Sequence, residues 1–74
     1  MSNPMKRFGE KLRILRKQND LSLRQLGDML DVHNTYISQI EHGQKPSIDF
    51  ILKIADIFNV SLDNLMQDRL ELDD

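Results

Sequence analysis

Residues 22–47, SLRQLGDMLDVHNTYISQIEHGQKPS, hold two short helical patterns joined by a very tight link. Ser22-x-x-Gln25 has the spacing of a capping box, in which each side chain accepts a hydrogen bond from the other residue's backbone N–H. Leu21, just before it, is placed to pack on Leu26 as a hydrophobic staple. Apolar residues at 26, 29 and 30 then predict a helix over about 22–30. After Asp31, Val32 and Ile37 form a second staple pair around a cap at His33 or Asn34. Ile37 and Ile40 mark the inner face of the next helix, about 33–42, and Gly43 supplies a left-handed stop.

The flanks carry the same helical spacing. Asn3-Pro4 reads as a cap followed by proline at the first helical position. Phe8, Leu12 and Leu15, with Met5 beside them, give one apolar stripe and a helix over about 4–18. Pro46-Ser47 opens a fourth helix, whose expected inner face is Ile48, Ile51, Ile54, Ala55 and Phe58. At Val60-Ser61 the pattern repeats: Ser61 caps, Val60 can staple on Leu65, and a fifth helix covers about 61–67. No alternation of a strand is found, so the expected fold class is all-α, five helices in one domain over 1–67. Residues 68–74 form an acidic tail expected to fray.

At 74 residues and 8.7 kDa the chain is long enough for one small core and no more. Chains of this size often gain stability from a partner subunit. The absence of cysteine excludes disulfides, zinc-thiolate sites and thiol nucleophiles. Uncharged runs are too short to span a membrane, and the N-terminus lacks the apolar region of a secretory signal. A soluble cytoplasmic protein is expected, associated with the nucleoid when bound to DNA. No enzyme is expected either. His33 and His42 lie on different surfaces of one helix, and no acid spacing suggests a metal site or an acid–base pair. Neither cofactor nor metal is implied.

Charge divides along the chain. Residues 1–24 carry Lys6, Arg7, Lys11, Arg13, Arg16, Lys17 and Arg24 against two acids, a net +5, whereas residues 25–74 sum to −7. Overall charge of −2 argues against a nucleic-acid partner, but only the local field matters to a polyanion. The link between the second and third helices is too short for antiparallel packing and favours the near-perpendicular crossing of a helix-turn-helix. Such a crossing leaves one face of the third helix free, occupied by Asn34, Thr35, Ser38, Gln39 and His42. Asn and Gln can pair with adenine through two hydrogen bonds, and Thr can meet a thymine methyl.

The ordered set Leu26-Gly27, Ile37-Ser38-x-Ile40-Glu41-x-Gly43 and Leu52-x-Ile54-Ala55-x-x-x-x-Val60-Ser61-x-x-x-Leu65 resembles the helix-turn-helix family of phage repressors and Cro, the XRE family. The resemblance runs from Phe8 to Met66, 59 of 74 residues. It implies a compact lambda-repressor-like DNA-binding domain, acting as a homodimer on a two-fold double-stranded operator. Base contacts are implied for His33, Asn34, Thr35, Ser38 and Gln39. Phosphate contacts are implied for Ser22, Arg24, Tyr36, His42, Gln44, Lys45 and Ser47. An ion pair between Arg16 and Glu41 would tie the first helix to the third, and Gly27 would let the second approach the third closely.

Departures from the family pattern matter too. Leu23 stands where a phosphate-clamping Gln is common, and Asp20, Asp31 and Asn59 stand where glycine is favoured. All three are Asx residues, the non-glycine types that best tolerate a left-handed backbone. Phe50 and Ile57 fall off the expected core stripe of the fourth helix, and with Leu62 and Met66 they compose an expected dimer interface that Leu70 can extend. Asp28 would offer RNA polymerase a contact. The rival reading is an antitoxin-like or anti-regulator protein-interaction module on the same fold, favoured by Leu23, Asp28, Asp31 and the net negative charge.

Overall fold

The computed structural model describes residues 4–66, and every regular element within them is a helix. These are α1 (Pro4–Gln18), α2 (Leu23–Leu30), α3 (Asn34–Glu41), α4 (Ile48–Phe58) and α5 (Leu62–Met66). Both ends of α2 are set by local chemistry. Ser22 Oγ accepts from the Gln25 N–H at 3.0 Å, and Gln25 Oε1 accepts from the Ser22 N–H at 2.8 Å, the capping box read in the sequence. The left-handed Asp31, at φ 58°, closes it. Asp20 (φ 55°) and Asn59 (φ 54°) end α1 and α4 the same way, so the three Asx substitutions for glycine all take the left-handed turn expected of them. In each case the following N–H reaches back to a carbonyl five residues earlier, from Leu21 to Arg16, Val32 to Gly27 and Val60 to Ala55. Gly43 (φ 108°) completes a Schellman stop on α3, with Gln44 N–H bonded to Gln39 O and Gly43 N–H to Ile40 O.

α3 packs against both α1 and α2, while α5 closes the bundle against α1 and α4. The core joins Phe8, Leu12 and Leu15 to Leu26, Leu30, Ile37, Ile40, Ile54 and Leu65, and it includes Phe50. That last member corrects the expected phase of α4. Phe50 is 2 % exposed, with its ring edge-on to Phe8 at 6.5 Å and to Tyr36 at 5.3 Å, whereas Ile48, expected inside, is 76 % exposed. At about 100° per residue, positions 50, 54, 57 and 58 cluster on one side and 48 and 52 lie roughly opposite, while Ile51 and Ala55, expected inside, pack against the core from its edges. The stripe therefore centres on Ile54, flanked by Phe50 and Phe58.

Lys11 is a second correction. In the sequence it is one of the seven bases of residues 1–24, yet it is completely buried, and its Nζ donates to the Asn64 carbonyl of α5. The expected tail at 68–74, Leu70 and the side chain of Met66 lie outside the described residues.

Candidate nucleic-acid interface

Two backbone approaches set how α3 is presented. A Cβ on Gly27 would lie 2.7 Å from the Val32 carbonyl oxygen, so α2 and the turn into α3 touch through bare backbone. The same holds on the opposite side, where a Cβ on Gly9 of α1 would lie 2.2 Å from the Ile40 carbonyl oxygen. Sequence reading found Gly27 and missed Gly9. The signal was there: a glycine inside a helix costs about 1 kcal/mol against alanine and calls for a packing reason.

Beside Gly9, the Arg16 guanidinium grips Glu41 at the end of α3. Nε donates to Oε2 at 2.7 Å and Nη2 to Oε1 at 3.1 Å, while Nη1 donates to the Leu21 carbonyl at 2.9 Å. The two side chains are only 11 % and 4 % exposed. The hydrogen bonds to Glu41 raise the Arg16 pKa further, against the opposing effect of burial, so the guanidinium stays cationic.

With its inner face fixed by buried Ile37 and Ile40, α3 turns Asn34, Thr35, Ser38 and Gln39 outward. Thr35 and Gln39 are exposed; Asn34 and Ser38 are half-buried, and the Thr35 hydroxyl lies 3.4 Å from Asn34 Oδ1. His33 is the N-cap, its Nδ1 accepting from the Thr35 N–H at 3.1 Å. His42 follows the helix and points its Nδ1–H back at the Ser38 carbonyl, 2.7 Å away.

The expected phosphate-contacting residues lie on α3 and on the elements before and after it. Ser22 and exposed Arg24 open α2, and exposed Gln44 and Lys45 occupy the loop after α3. Ser47 caps α4, its Oγ accepting from the Phe50 N–H at 3.1 Å, and its own N–H donates to the Tyr36 hydroxyl at 3.2 Å. The backbone N–H groups of Ser22 and Ser47 are thus already spent inside the protein, and their hydroxyl protons are what they offer outward. The basic surface is thinner than a count of residues suggests. Lys11 is buried, Arg16 is held by Glu41, and Arg7 bonds Glu10 at 3.2 Å, leaving Arg13, Lys17, Arg24, Lys45 and Lys53 exposed among the described residues.

The helix-turn-helix family profile matches residues 12–65. The chain belongs to the helix-turn-helix family. This XRE-type assignment agrees with the motifs read in the sequence and with the all-α fold, and it bears out the non-enzymatic reading. The helix-turn-helix unit is α2, the turn at 31–33 and α3. Over 66 residues the chain is 30 % identical to the HTH-type transcriptional regulator SinR of Bacillus subtilis, matching 86 % of this chain and 60 % of that protein. Over 58 residues it is 40 % identical to an uncharacterized HTH-type transcriptional regulator of Mycobacterium tuberculosis, matching 77 % of this chain and 41 % of the other. This helix-turn-helix chain therefore spans less than two thirds of either relative. No helix of the described residues is long and apolar enough to cross a membrane, and no group of three metal-ligating side chains is found among them.

Proposed function

We propose that the chain is a sequence-specific, double-stranded-DNA-binding transcriptional regulator of the cytoplasm that lays α3 in the major groove. The observation that carries this reading is the outward face of α3, whose uncharged hydrogen-bonding side chains sit on a helix locked from both sides by backbone contact. Such a face can read base edges, because its donors and acceptors are neutral and rigidly presented. His42, Gln44 and Lys45 flank it where a phosphate strand passes. Leu23, counted for the partner-protein reading because it replaces a phosphate-clamping Gln, packs against the core. Asp28 and Asp31 remain exposed, and contact with RNA polymerase through Asp28 belongs to the same proposal.

The regulator acts as a homodimer on a palindromic operator, with its two recognition helices about 34–36 Å apart. Support for dimerisation is the apolar surface left outside the core. Phe50 is buried and Ile57 packs against the core, so among the described side chains of the residues first expected only Leu62, 41 % exposed, stands clear. Ile48 and Leu52 (48 % exposed), one turn apart on the outer side of α4, replace the other two. Selection of bound sites from a random duplex pool tests the function: an enriched two-fold sequence is expected, and a pool without enrichment would refute it.

A further inference from the structure

The loop between α3 and α4, residues 42–47, is tied back to α3 at both ends. At its start the Gly43 and Gln44 N–H groups reach the Ile40 and Gln39 carbonyls, each at 3.0 Å. At its end the Ser47 N–H donates to the Tyr36 hydroxyl oxygen at 3.2 Å, eleven residues back along the chain. Tyr36 can serve as this second anchor because its own ring is fixed, edge-on at 5.3 Å to the buried Phe50. Between the anchors Pro46 is buried, while Gln44 and Lys45 are exposed. α3 lies closest to α1 and α2, and α4 to α5. The start of α4 is therefore joined to α3 through the Tyr36 side chain rather than through close helix packing.

We infer that Tyr36 is a positioning residue for Lys45: its hydroxyl makes the loop an extension of α3, so that the Lys45 ammonium is presented in fixed register with the base-reading side chains. The inference rests on the DNA-binding reading, with Lys45 as a phosphate contact, and adds how that cation is held. It assigns to Tyr36 an action through the protein in place of the direct phosphate contact that the resemblance implies. The physical gain is in entropy. A lysine is a charge on a flexible stem, and binding must order both the stem and the backbone beneath it. A loop already closed at both ends has lost the backbone part of that freedom before DNA arrives.

The test is Tyr36→Phe, which keeps the ring against Phe50 and removes the oxygen that accepts the Ser47 N–H, made in wild type and in Lys45→Ala. Anisotropy titration of the whole chain is run on the selected duplex and on a random duplex across a salt series. In the wild-type background Tyr36→Phe is expected to bind both duplexes about 2- to 12-fold more weakly, the value of one hydrogen bond. Its salt slope should fall toward that of Lys45→Ala, because a cation has been loosened from its phosphate. In the Lys45→Ala background the same change should have no further effect, since the residue it acts through is gone. Without DNA, the Ser47 amide should exchange with solvent about 2- to 12-fold faster in Tyr36→Phe than in wild type. An equal loss in both backgrounds at an unchanged salt slope would show that the hydroxyl touches phosphate itself, and would overturn the inference. Full affinity of Tyr36→Phe, or an unchanged Ser47 exchange rate, would overturn it too. Wild type that binds neither duplex would refute the DNA-binding reading itself, whatever the exchange at Ser47.

Discussion

The Arg16–Glu41 pair is the interaction whose removal the structure makes most costly. Both carboxylate oxygens are bonded, at 2.7 and 3.1 Å, and the third guanidinium bond holds the Leu21 carbonyl in the turn before α2. Intact, a buried pair gains little over two apolar side chains, because desolvating the charges offsets their attraction. Broken, it strands a charge, at about 3–5 kcal/mol. A domain of this length has about 4–11 kcal/mol of stability in total, so one substitution removes a large share of it. Arg16→Met is expected to be the worse single change. It leaves Glu41, 4 % exposed, as an uncompensated anion and takes the donor from Leu21. Glu41→Gln retains an amide oxygen for the guanidinium and should cost less. Arg16→Met/Glu41→Leu strands neither charge and should recover most of the loss. Urea melts followed by helical circular dichroism of wild type, Arg16→Met, Glu41→Leu and their double variant close the cycle and give a coupling of about 2–3 kcal/mol. Single losses below about 1 kcal/mol that simply add in the double variant would show that the pair behaves as an exposed one, and the locked placement of α3 would then need another cause.

Gly9→Ala should destabilise by about 1–3 kcal/mol through overpacking, despite about 1 kcal/mol of helix propensity gained, because the new Cβ meets backbone at 2.2 Å. A raised urea midpoint would contradict this. Asn59→Ala should melt about 4–8 °C below Asn59→Gly, the effect of about 1 kcal/mol at a left-handed position in a small domain; equal melting temperatures would count against strain at φ 54°. Gln39→Ala should lose about 1–3 kcal/mol on the selected site and relax base preference, whereas Lys45→Ala should weaken all duplexes alike and lower the salt slope by about one. Equal losses on selected and random DNA for Gln39→Ala would remove it from the readers. Sedimentation equilibrium at tens of micromolar should show a wild-type dimer that Ile48→Glu/Leu52→Glu dissociates, and a dimer indifferent to that change would place the interface elsewhere.

Features governed by near neighbours in the chain were legible in advance, and those governed by distant ones were not. The capping box at Ser22 and Gln25, the left-handed turns at Asp20, Asp31 and Asn59, and the stop at Gly43 all involve residues within six positions of each other. Their chemistry is complete in a short window, so spacing alone identifies them. The phase of α4 is different. Periodicity fits a stripe led by Ile48 nearly as well as one led by Phe50, and the choice is made by Phe8, forty-two positions earlier, and by Tyr36, which supply the edges against which the Phe50 ring packs. Lys11 escaped for the same reason: in the linear chain it is one more base in a basic helix, and the carbonyl of Asn64 that receives its Nζ lies across the bundle. At the interface the consequence is direct. Tyr36 reaches its place through Phe50 and Ser47, so an error in the phase of α4 is also an error in what lies beside the recognition helix. Correcting it turns an expected dimer contact into the ring against which Tyr36 of α3 packs edge-on at 5.3 Å.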